Sequence, residues 1–401
     1  MGAAVPVLAG CSGSAPSATS SAASASSAAA SSAVASSSAS EAFKQAGKGE
    51  KLVVGRRGKL FKIAPSVIAE QMGYYEEEGC NVEFQMVELA EAFASLASNN
   101  LDVMLMGVVQ TCEYISKGTD LYIFGGTVLN GTEILAPADS TYEFASASDF
   151  KGLNIGFQRP ETGQIRFRAW LMDNGLTLNV AGEGPADADV TFTPLDNEQA
   201  LVEATVKGEV DICLVNNAFG YISKDAGIRV AGNVPSLAGD YPCCRQNASE
   251  AAYHDKYLSL VDFEIAILRG YKVFVEDPDK TVEIMVAYSE QKEDVVRAGL
   301  YGTDGYEPQM KLLPDPCRNA VLDFYDAMKT VGAIDSAARS ADDNVVSDIY
   351  RTALDTLMER EPNEQFWKDM DKQFKPNNGL AAVGCGKGCA NRPWEASSST
   401  T

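Results

Sequence analysis

Two adjacent cysteines, Cys243 and Cys244, are the residues best suited to covalent chemistry in this sequence, and Arg245 follows them directly. A thiolate is a nucleophile and a redox group, so the pair could serve an extracytoplasmic enzyme or a thiol redox protein, together with Cys385 and Cys389. A hinge strand in which one cysteine is simply buried explains the same residues without chemistry. A third interpretation places Cys243 or Arg245 against a ligand at the floor of a cleft.

A basic segment offers a different chemistry, the binding of a small anion. Its four cations follow the apolar run KLVVG and are Arg56, Arg57, Lys59 and Lys62. They stand out in a chain whose formal net charge is −22, and they precede a predicted helix whose N-terminus favours anions. Arg159 and Arg166 add positive charge around a later loop. A solvated charge run is the alternative explanation of the basic segment.

Catalytic machinery is not evident in the sequence. His254 is the only histidine, which argues against most histidine-dependent triads and metal sites. No nucleophile-elbow, P-loop or dinucleotide-binding glycine motif follows a predicted strand. The acidic composition argues against nucleic acid as a partner. We therefore predict that the protein is not an enzyme, uses no cofactor or metal, and binds a small molecule.

The elements that must position these residues alternate between strand and helix. Short apolar runs at 51–55, 81–87, 101–106, 153–157, 190–194 and 209–214 predict buried strands, with helices at 63–78, 90–98, 161–174 and 197–207 between them. This alternation predicts βαβ units and mainly parallel sheets. Segments 92–106 and 200–215 share a helix, a polar turn and an Asp within an apolar strand, which indicates two lobes of related design.

Ligands of open α/β sheets bind beyond the carboxyl ends of the strands. That rule selects the following candidate ligand-binding residues: Arg56, Arg57, Lys59, Phe61, Gly107, Gln110, Gln158, Arg159, Thr162, Gly163, Gln164, Asn216, Asn217, Cys243 and Arg245. Gly163 and the helix behind it could present backbone N–H groups to an oxyanion, while side-chain amides both donate and accept. Ordinary polar loop chemistry is the competing explanation for most of these residues.

The N-terminal segment indicates an anchor and a tether. Residues 1–11 end in Leu-Ala-Gly-Cys, which resembles a bacterial lipobox, so we expect Cys11 to carry lipid. Residues 12–49 are mostly Ser and Ala, which cannot bury enough apolar surface to fold and therefore predict a disordered tether. Residues 376–401 are expected to form a flexible tail.

Several segments in a fixed order resemble a known family, the periplasmic binding proteins grouped with nitrate, sulfonate, taurine and thiamine-pyrimidine binders. They are KLVVG, SVIAEQMGYYEEEGCNVEF, LDVMLMG, FKGLNIG at 150–156, and the helix and strand at 201–214. The resemblance covers about residues 50–335. It implies a two-lobed α/β fold of the type II periplasmic binding proteins, with a mainly parallel sheet flanked by helices in each lobe.

The expected organisation and role follow from that resemblance. Lobe one is expected at 50–135 plus 236–375 and lobe two at 136–235. The resemblance implies an extracytoplasmic, lipid-anchored monomer that captures a solute and delivers it to the permease and ATPase of an ABC importer. The basic segment favours a small anionic, sulfonate-like solute, and a neutral thiamine-precursor pyrimidine is the alternative.

Overall fold

The computed structural model describes residues 44–379 and contains two six-stranded sheets. The predictions for Cys11, for most of the tether, and for Cys385 and Cys389 fall outside the described residues. The last part of the predicted tether is packed, because the backbone N–H of Leu258 donates to the carbonyl of Ala46 at 3.0 Å. The last helix ends at Asn378, so the predicted tail begins as helix.

The first sheet has the strand order β12-β4-β11-β3-β1-β2. Its strands are β1 (Leu52–Arg56), β2 (Val82–Met86), β3 (Val103–Met104), β4 (Tyr122–Asn130), β11 (Pro242–Ala248) and β12 (Met310–Leu312). Strands β2, β1 and β3 run parallel, whereas β11 is antiparallel to both β3 and β4.

The second sheet has the order β10-β5-β9-β6-β8-β7. Its strands are β5 (Thr132–Pro137), β6 (Asn154–Phe157), β7 (Leu178–Val180), β8 (Val190–Pro194), β9 (Ile212–Asn216) and β10 (Ile228–Asn233). Strands β7, β8, β6 and β9 are parallel, and β5 is antiparallel to β9 and β10. Both sheets are therefore mixed, with a parallel half and an antiparallel half.

The two sheets share one plan. In the first sheet, β1 lies between β2 and β3, and β11, which returns from the second sheet, lies next to β3. In the second sheet, β6 lies between β8 and β9, and β5, which enters from the first sheet, lies next to β9. The chain crosses once at Gly131, between β4 and β5, and returns between β10 and β11. Two crossovers therefore connect the two sheets. Each sheet with the helices that cover it is referred to as a lobe.

Helices cover the faces of both sheets. They are α1 (Ala64–Gln71), α2 (Tyr74–Glu77), α3 (Leu89–Ala97), α4 (Val108–Ser116), α5 (Thr162–Asp173), α6 (Glu198–Lys207), α7 (Phe219–Ile222), α8 (Val234–Ala238), α9 (Glu250–Asp255), α10 (Tyr257–Glu276), α11 (Pro278–Ser289), α12 (Glu293–Tyr301), α13 (Arg318–Thr330), α14 (Asp348–Arg360) and α15 (Gln365–Asn378). A 3-10 turn at Phe61–Ile63 precedes α1. Among the described helices, none combines the length and the apolar character that a bilayer crossing requires.

The predicted internal similarity has a physical basis in two aspartates. The Asp102 carboxylate accepts a hydrogen bond from the backbone N–H of Val53 at 2.8 Å, and the Asp211 carboxylate accepts one from Asn154 at 2.7 Å. Asp102 lies just before β3 and binds β1, and Asp211 lies just before β9 and binds β6. The repeated Asp therefore sets the same strand pairing in both lobes.

One prediction about the elements is corrected by the structure, since the predicted strand at 101–106 spans only Val103–Met104. The interpretation of the Cys243–Cys244 segment as a strand agrees with β11, which covers Pro242–Ala248. Its sequence, PCCRQNA, lacks an apolar pattern because its buried polar side chains bind neighbouring backbone; the Asn247 amide, for example, donates to the carbonyl of Met106 at 2.7 Å.

Candidate functional site

The two lobes meet at Lys62, which lies in the 3-10 turn after β1. Its ammonium group donates to the side-chain oxygen of Asn216 at 2.9 Å, at the carboxyl end of β9 in the second lobe. The same Nζ lies 3.6 Å from the sulfur of Cys243 on the returning strand β11. Lys62 thus joins two segments of the first lobe to the second lobe in one half-buried contact.

Two thiols lie side by side beneath Lys62. The Cys243 and Cys244 sulfurs are 3.7 Å apart, and both residues are buried. Successive side chains of a regular strand point to opposite faces. Here the pairing of β11 with β4 is irregular on both sides of Cys244, which lets the two thiols approach each other.

Two carboxylates complete this cluster from the second lobe. Glu161 precedes α5, and the Asn216 side chain hydrogen bonds to its carboxylate. Glu198 in the first turn of α6 accepts the backbone N–H of Asn216 at 2.7 Å. A small cavity beside them is lined by Thr132, Phe157, Gln158, Glu161, Gln164, Glu198, Leu214, Val215 and Asn216.

The cluster has a defined charge pattern. Burial alone would lower the pKa of Lys62, but Cys243, Cys244, Glu161 and Glu198 together raise it, so the ammonium stays charged. Burial raises the pKa of Glu161 despite the opposing effect of Lys62. A hydrogen bond from Cys244, followed by the charge of Lys62, lowers the pKa of Cys243, whereas the pKa of Cys244 is raised.

The floor of the cluster is braced by the two crossover segments. The hydroxyl of Tyr241 donates to the Thr132 hydroxyl at 2.7 Å and accepts the Thr132 backbone N–H at 3.0 Å. Gly163 at the start of α5 lies against Thr132, since a Cβ there would meet the threonine hydroxyl oxygen at 1.9 Å. The N-terminus of α5 is therefore held directly over the hinge.

Three of the four cations of the predicted basic segment have partners outside the Lys62 cluster. Arg56 is buried, forms an ion pair with Glu70 and stacks on Phe84. Arg57 pairs with Glu88 at 3.5 Å on the surface. Lys59, also exposed, pairs with Glu290. The expected convergence of these cations on one ligand is therefore not what the structure shows, because each has a carboxylate partner of its own.

The remaining candidates of the first lobe and crossover also have local contacts. Gly107 begins α4 at φ +86°, where a Cβ would lie 2.4 Å from the Phe93 ring. Gln110 is half-buried on α4, and Phe61 packs near Gly299. Arg245 is fully buried in β11 and donates to the carbonyls of Val128 and Cys244.

The second-lobe candidates divide into two groups. Gln158, Thr162, Gly163, Gln164 and Asn216 lie at the cluster or its cavity, as their positions at strand ends predicted. Asn217 instead ties β9 to the C-terminal part of the chain, since its side chain donates to the Gly299 carbonyl at 2.8 Å.

A wider groove opens beyond the cavity and holds Arg159. It is lined on the second lobe by Arg159, Gln164 and Arg168, and on the first by Val109, Glu113 and residues 330–333. Arg168 donates to the carbonyl of Val331 at 3.3 Å, a further contact between the lobes. Arg166, predicted to add charge here, binds the Ala238 carbonyl instead.

Several residues of the cluster were not among the predicted binding residues. They are Thr132, Glu161, Glu198, Tyr241 and Cys244; Lys62 was predicted only as one of the four cations of the basic segment. Lys62 and Glu161 were visible within loops that the strand-end rule selected, and Glu198 follows β8, where the same rule applies. No sequence signal distinguished Thr132 and Tyr241, because their contact depends on how two crossovers pack.

Comparison with known proteins assigns the chain to a family. A family model described as NMT1/THI5 like matches residues 61–281, more than half of the chain. Curated protein sequences yield no match.

Solved structures share the fold at low sequence identity. The periplasmic nitrate-binding protein NrtA from Synechocystis PCC 6803 has a TM-score of 0.59 and 15% identity, over 77% of this chain and 89% of that one. The periplasmic aliphatic sulphonate binding protein SsuA from Escherichia coli gives 0.58 and 14%, over 74% and 92%.

A ligand binding component of an ABC-type import system from Staphylococcus aureus gives a TM-score of 0.56 and 13% identity, over 76% of this chain and 98% of that one. These likenesses confirm the predicted periplasmic-binding-protein fold, and the family match confirms the predicted resemblance. The chain therefore belongs to the NMT1/THI5-like family.

Proposed function

We propose that this protein is the solute-binding component of an ABC-type importer and closes its two lobes around a small molecule. The observation that carries the proposal is the half-buried cluster in which Lys62 and Cys243 of the first lobe meet Asn216 of the second. A site assembled from both lobes changes when the lobes move, as solute capture requires. Family membership and the shared fold support the same function.

The wider organisation belongs to this proposal. The protein would act outside the cytoplasm as a monomer, held at the cell membrane by lipid on Cys11, and would deliver its solute to a permease and an ATPase. Lobe one at 50–135 plus 236–375 and lobe two at 136–235 are the proposed moving units.

The cluster favours a neutral solute with N–H donors over an anion. Two carboxylates, Glu161 and Glu198, lie beside the single buried ammonium of Lys62. An anion placed there would meet both carboxylates in a site of low polarity, where repulsion is strong. An amino-substituted pyrimidine of the thiamine-precursor class could donate to Glu161, accept from side-chain amides and stack on Phe157.

A sulfonate-like anion is the second candidate. Lys62 and Arg159 are the observations that favour it, since Arg159 lines the groove without a carboxylate partner among the described ion pairs of this chain. The nitrate-binding and sulphonate-binding proteins that share the fold also support it.

Calorimetry with three ligands tests the choice. We expect the folded protein to bind an aminopyrimidine alcohol more tightly than an alkanesulfonate or nitrate. Glu161→Gln should weaken pyrimidine binding by about tenfold or more, because a charge-assisted hydrogen bond is lost. Glu203→Gln, an exposed change on α6, is the matched control.

Glu161→Gln also distinguishes the two candidate solutes, because it should change their affinities in opposite directions. Removing the negative charge of Glu161 should strengthen the binding of an anion, whereas Lys62→Gln should weaken it. Tight sulfonate binding that rises in Glu161→Gln and falls in Lys62→Gln would replace the pyrimidine proposal with the anion. Failure of all three ligands, together with binding of none of a wider solute panel, would count against the importer role itself.

A further inference from the structure

The vicinal thiols combine three features that a buried structural cysteine does not need. Their sulfurs lie 3.7 Å apart on one side of a locally irregular strand. The ammonium of Lys62 lies 3.6 Å from the Cys243 sulfur. The other described cysteines, Cys80, Cys112, Cys213 and Cys317, are also free and buried, and no ammonium group is within hydrogen-bonding distance of their sulfurs among the described contacts.

We propose that Cys243 and Cys244 form a thiol-exchange site, which small disulfides convert to a vicinal disulfide, and that this conversion controls solute binding in the cleft. The second half of the proposal rests on the proposed solute-binding function, whereas the thiol chemistry stands without it. Disulfides form in extracytoplasmic compartments, so oxidants of this class are available where the protein is proposed to act.

The reaction divides the roles between the two cysteines. The Cys243 thiolate attacks one sulfur of a small disulfide RSSR, forms a Cys243–SR bond and releases RS⁻. Cys244 then passes its proton to the released thiolate and attacks the Cys243 sulfur, which forms the Cys243–Cys244 bond and expels a second RS⁻. The two protein sulfurs lose two electrons in total, and one RSSR is reduced to two thiols.

Local charges support this order of events. The Cys244 thiol hydrogen bonds to Cys243, and Lys62 stabilises the thiolate, so the pKa of Cys243 is lowered while that of Cys244 is raised. The titratable groups that act on Cys243 in the described structure are Lys62, Glu161, Tyr241, Cys244 and Arg245. Thr162 also hydrogen bonds to the Cys243 sulfur.

Access to the thiols depends on the lobes. Thr162 of the second lobe hydrogen bonds to the Cys243 sulfur, and Lys62 beside that sulfur binds Asn216 of the second lobe, so separation of the lobes breaks both contacts and opens the second-lobe side of the thiols. A bound solute that holds the lobes together should therefore protect the thiols.

Oxidation would in turn alter the cluster. The disulfide is neutral, so Lys62 loses its thiolate partner while Asn216, Glu161 and Glu198 remain. The sulfurs must also approach from 3.7 Å to a bond length of about 2.05 Å, which displaces the crossover strand beneath the cavity. Adjacent residues close a small strained ring, and strained disulfides are readily reduced again.

Mass spectrometry of the full-length reduced protein exposed to 2-hydroxyethyl disulfide tests the thiol chemistry. The wild type should lose two hydrogens through a bond between Cys243 and Cys244, and excess dithiothreitol should reverse the change. Cys244→Ser should stop at a Cys243 mixed disulfide. Cys243→Ser should react more slowly by about tenfold or more, because its remaining thiol is protonated.

Two buried cysteines elsewhere in the chain serve as internal controls for the thiol chemistry. Cys112 and Cys213, whose pKa values burial raises to about 12, should stay unmodified in the same samples. Modification of Cys243 no faster than of Cys112, or a stable mixed disulfide in the wild type, would overturn the exchange site.

Solute binding is measured on the reduced and oxidised forms. The oxidised form should bind the best ligand of the calorimetry panel about tenfold more weakly. Equal affinity of the two forms would overturn the control of binding and leave the exchange site standing. Normal thiol exchange in a protein that binds no solute would instead count against the proposed importer function.

Discussion

Lys62 carries its charge into a buried cluster that also holds two carboxylates and two thiols. The cost of burying an ammonium group is offset there by several partners at once, and its pKa is accordingly raised rather than lowered. The exposed cations near it, Arg57 and Lys59, are paired on the surface, where an ion pair contributes little. The burial of Lys62 and its several partners, rather than the number of cations nearby, therefore identify it as the candidate site residue of the basic segment.

A second buried carboxylate, Glu133, ties the second lobe to the C-terminal part of the chain. It accepts hydrogen bonds from the Tyr306 hydroxyl and from the backbone N–H of Gly220 at 2.8 Å. Burial nevertheless raises its pKa to about 7. The folded protein therefore binds a proton at Glu133 at pH values where the unfolded chain does not.

This shift predicts a pH dependence of stability. The contribution of protonated Glu133 is complete below its unfolded pKa and is lost as the pH rises through about 7. The free energy of unfolding of the wild type should thus fall by roughly 2–3 kcal/mol between pH 5 and pH 8 through this group. Glu133→Gln should lack that part of the decrease when denaturant unfolding is measured across the range. Curves for Glu133→Gln and wild type that stay parallel would contradict the assignment, and exposed Glu203→Gln should follow the wild type.

At the scale of elements, equivalent aspartates join β3 to β1 in the first sheet and β9 to β6 in the second. Asp211 accepts the backbone N–H of Asn154, and Asp102 does the same for Val53 while also binding Lys256 at 2.9 Å. Each contact fixes a strand pair whose carboxyl ends carry site residues.

Loss of the second-lobe contact should be measurable. Asp211→Ala leaves the Asn154 N–H without its partner, so we expect the free energy of unfolding to fall by about 1–3 kcal/mol. Asp187→Ala, an exposed change in the same lobe, should have little effect. Chemical denaturation gives both values, and a loss in Asp187→Ala as large as that in Asp211→Ala would mean that the strand contact is not the cause.

The predictability of these elements follows from how their residues are buried. Parallel strands such as β6 and β9 are apolar on both faces, so their sequences identified them and their ends located Thr162, Gln164 and Asn216. Strand β11 has buried polar side chains in place of an apolar pattern, so a strand remained only one of the interpretations of Cys243 and Cys244. The ion pairs of the basic segment were not predicted, because Arg56, Arg57 and Lys59 pair with Glu70, Glu88 and Glu290, positions that spacing alone cannot connect.

At the scale of the whole molecule, contacts between the lobes occur on both sides of the cavity. Lys62 bonds to Asn216 at the inner end, and Arg168 of α5 donates to the Val331 carbonyl across the outer groove. A separation of the lobes must break both contacts. Burial lowers the pKa of Arg168, but a guanidinium remains charged at neutral pH, so its bond to Val331 is charge-assisted.

The outer contact predicts how fast a solute leaves. Arg168→Ala removes the bond to Val331 and a second bond, at 3.2 Å, to the side-chain oxygen of Gln164, so the contact between the lobes should weaken and the solute dissociation rate should rise by about tenfold. Stopped-flow measurement of release, using the ligand that calorimetry identifies, gives the rate. Lys207→Ala removes an exposed cation at the end of α6 and should leave the dissociation rate unchanged.

Small-angle scattering provides the structural readout. Solute should decrease the radius of gyration of the wild type, and Arg168→Ala should require more solute for the same decrease. If the radius stays constant at saturating solute, the lobes do not close on it, and an altered release rate in Arg168→Ala would then have to arise within the groove alone.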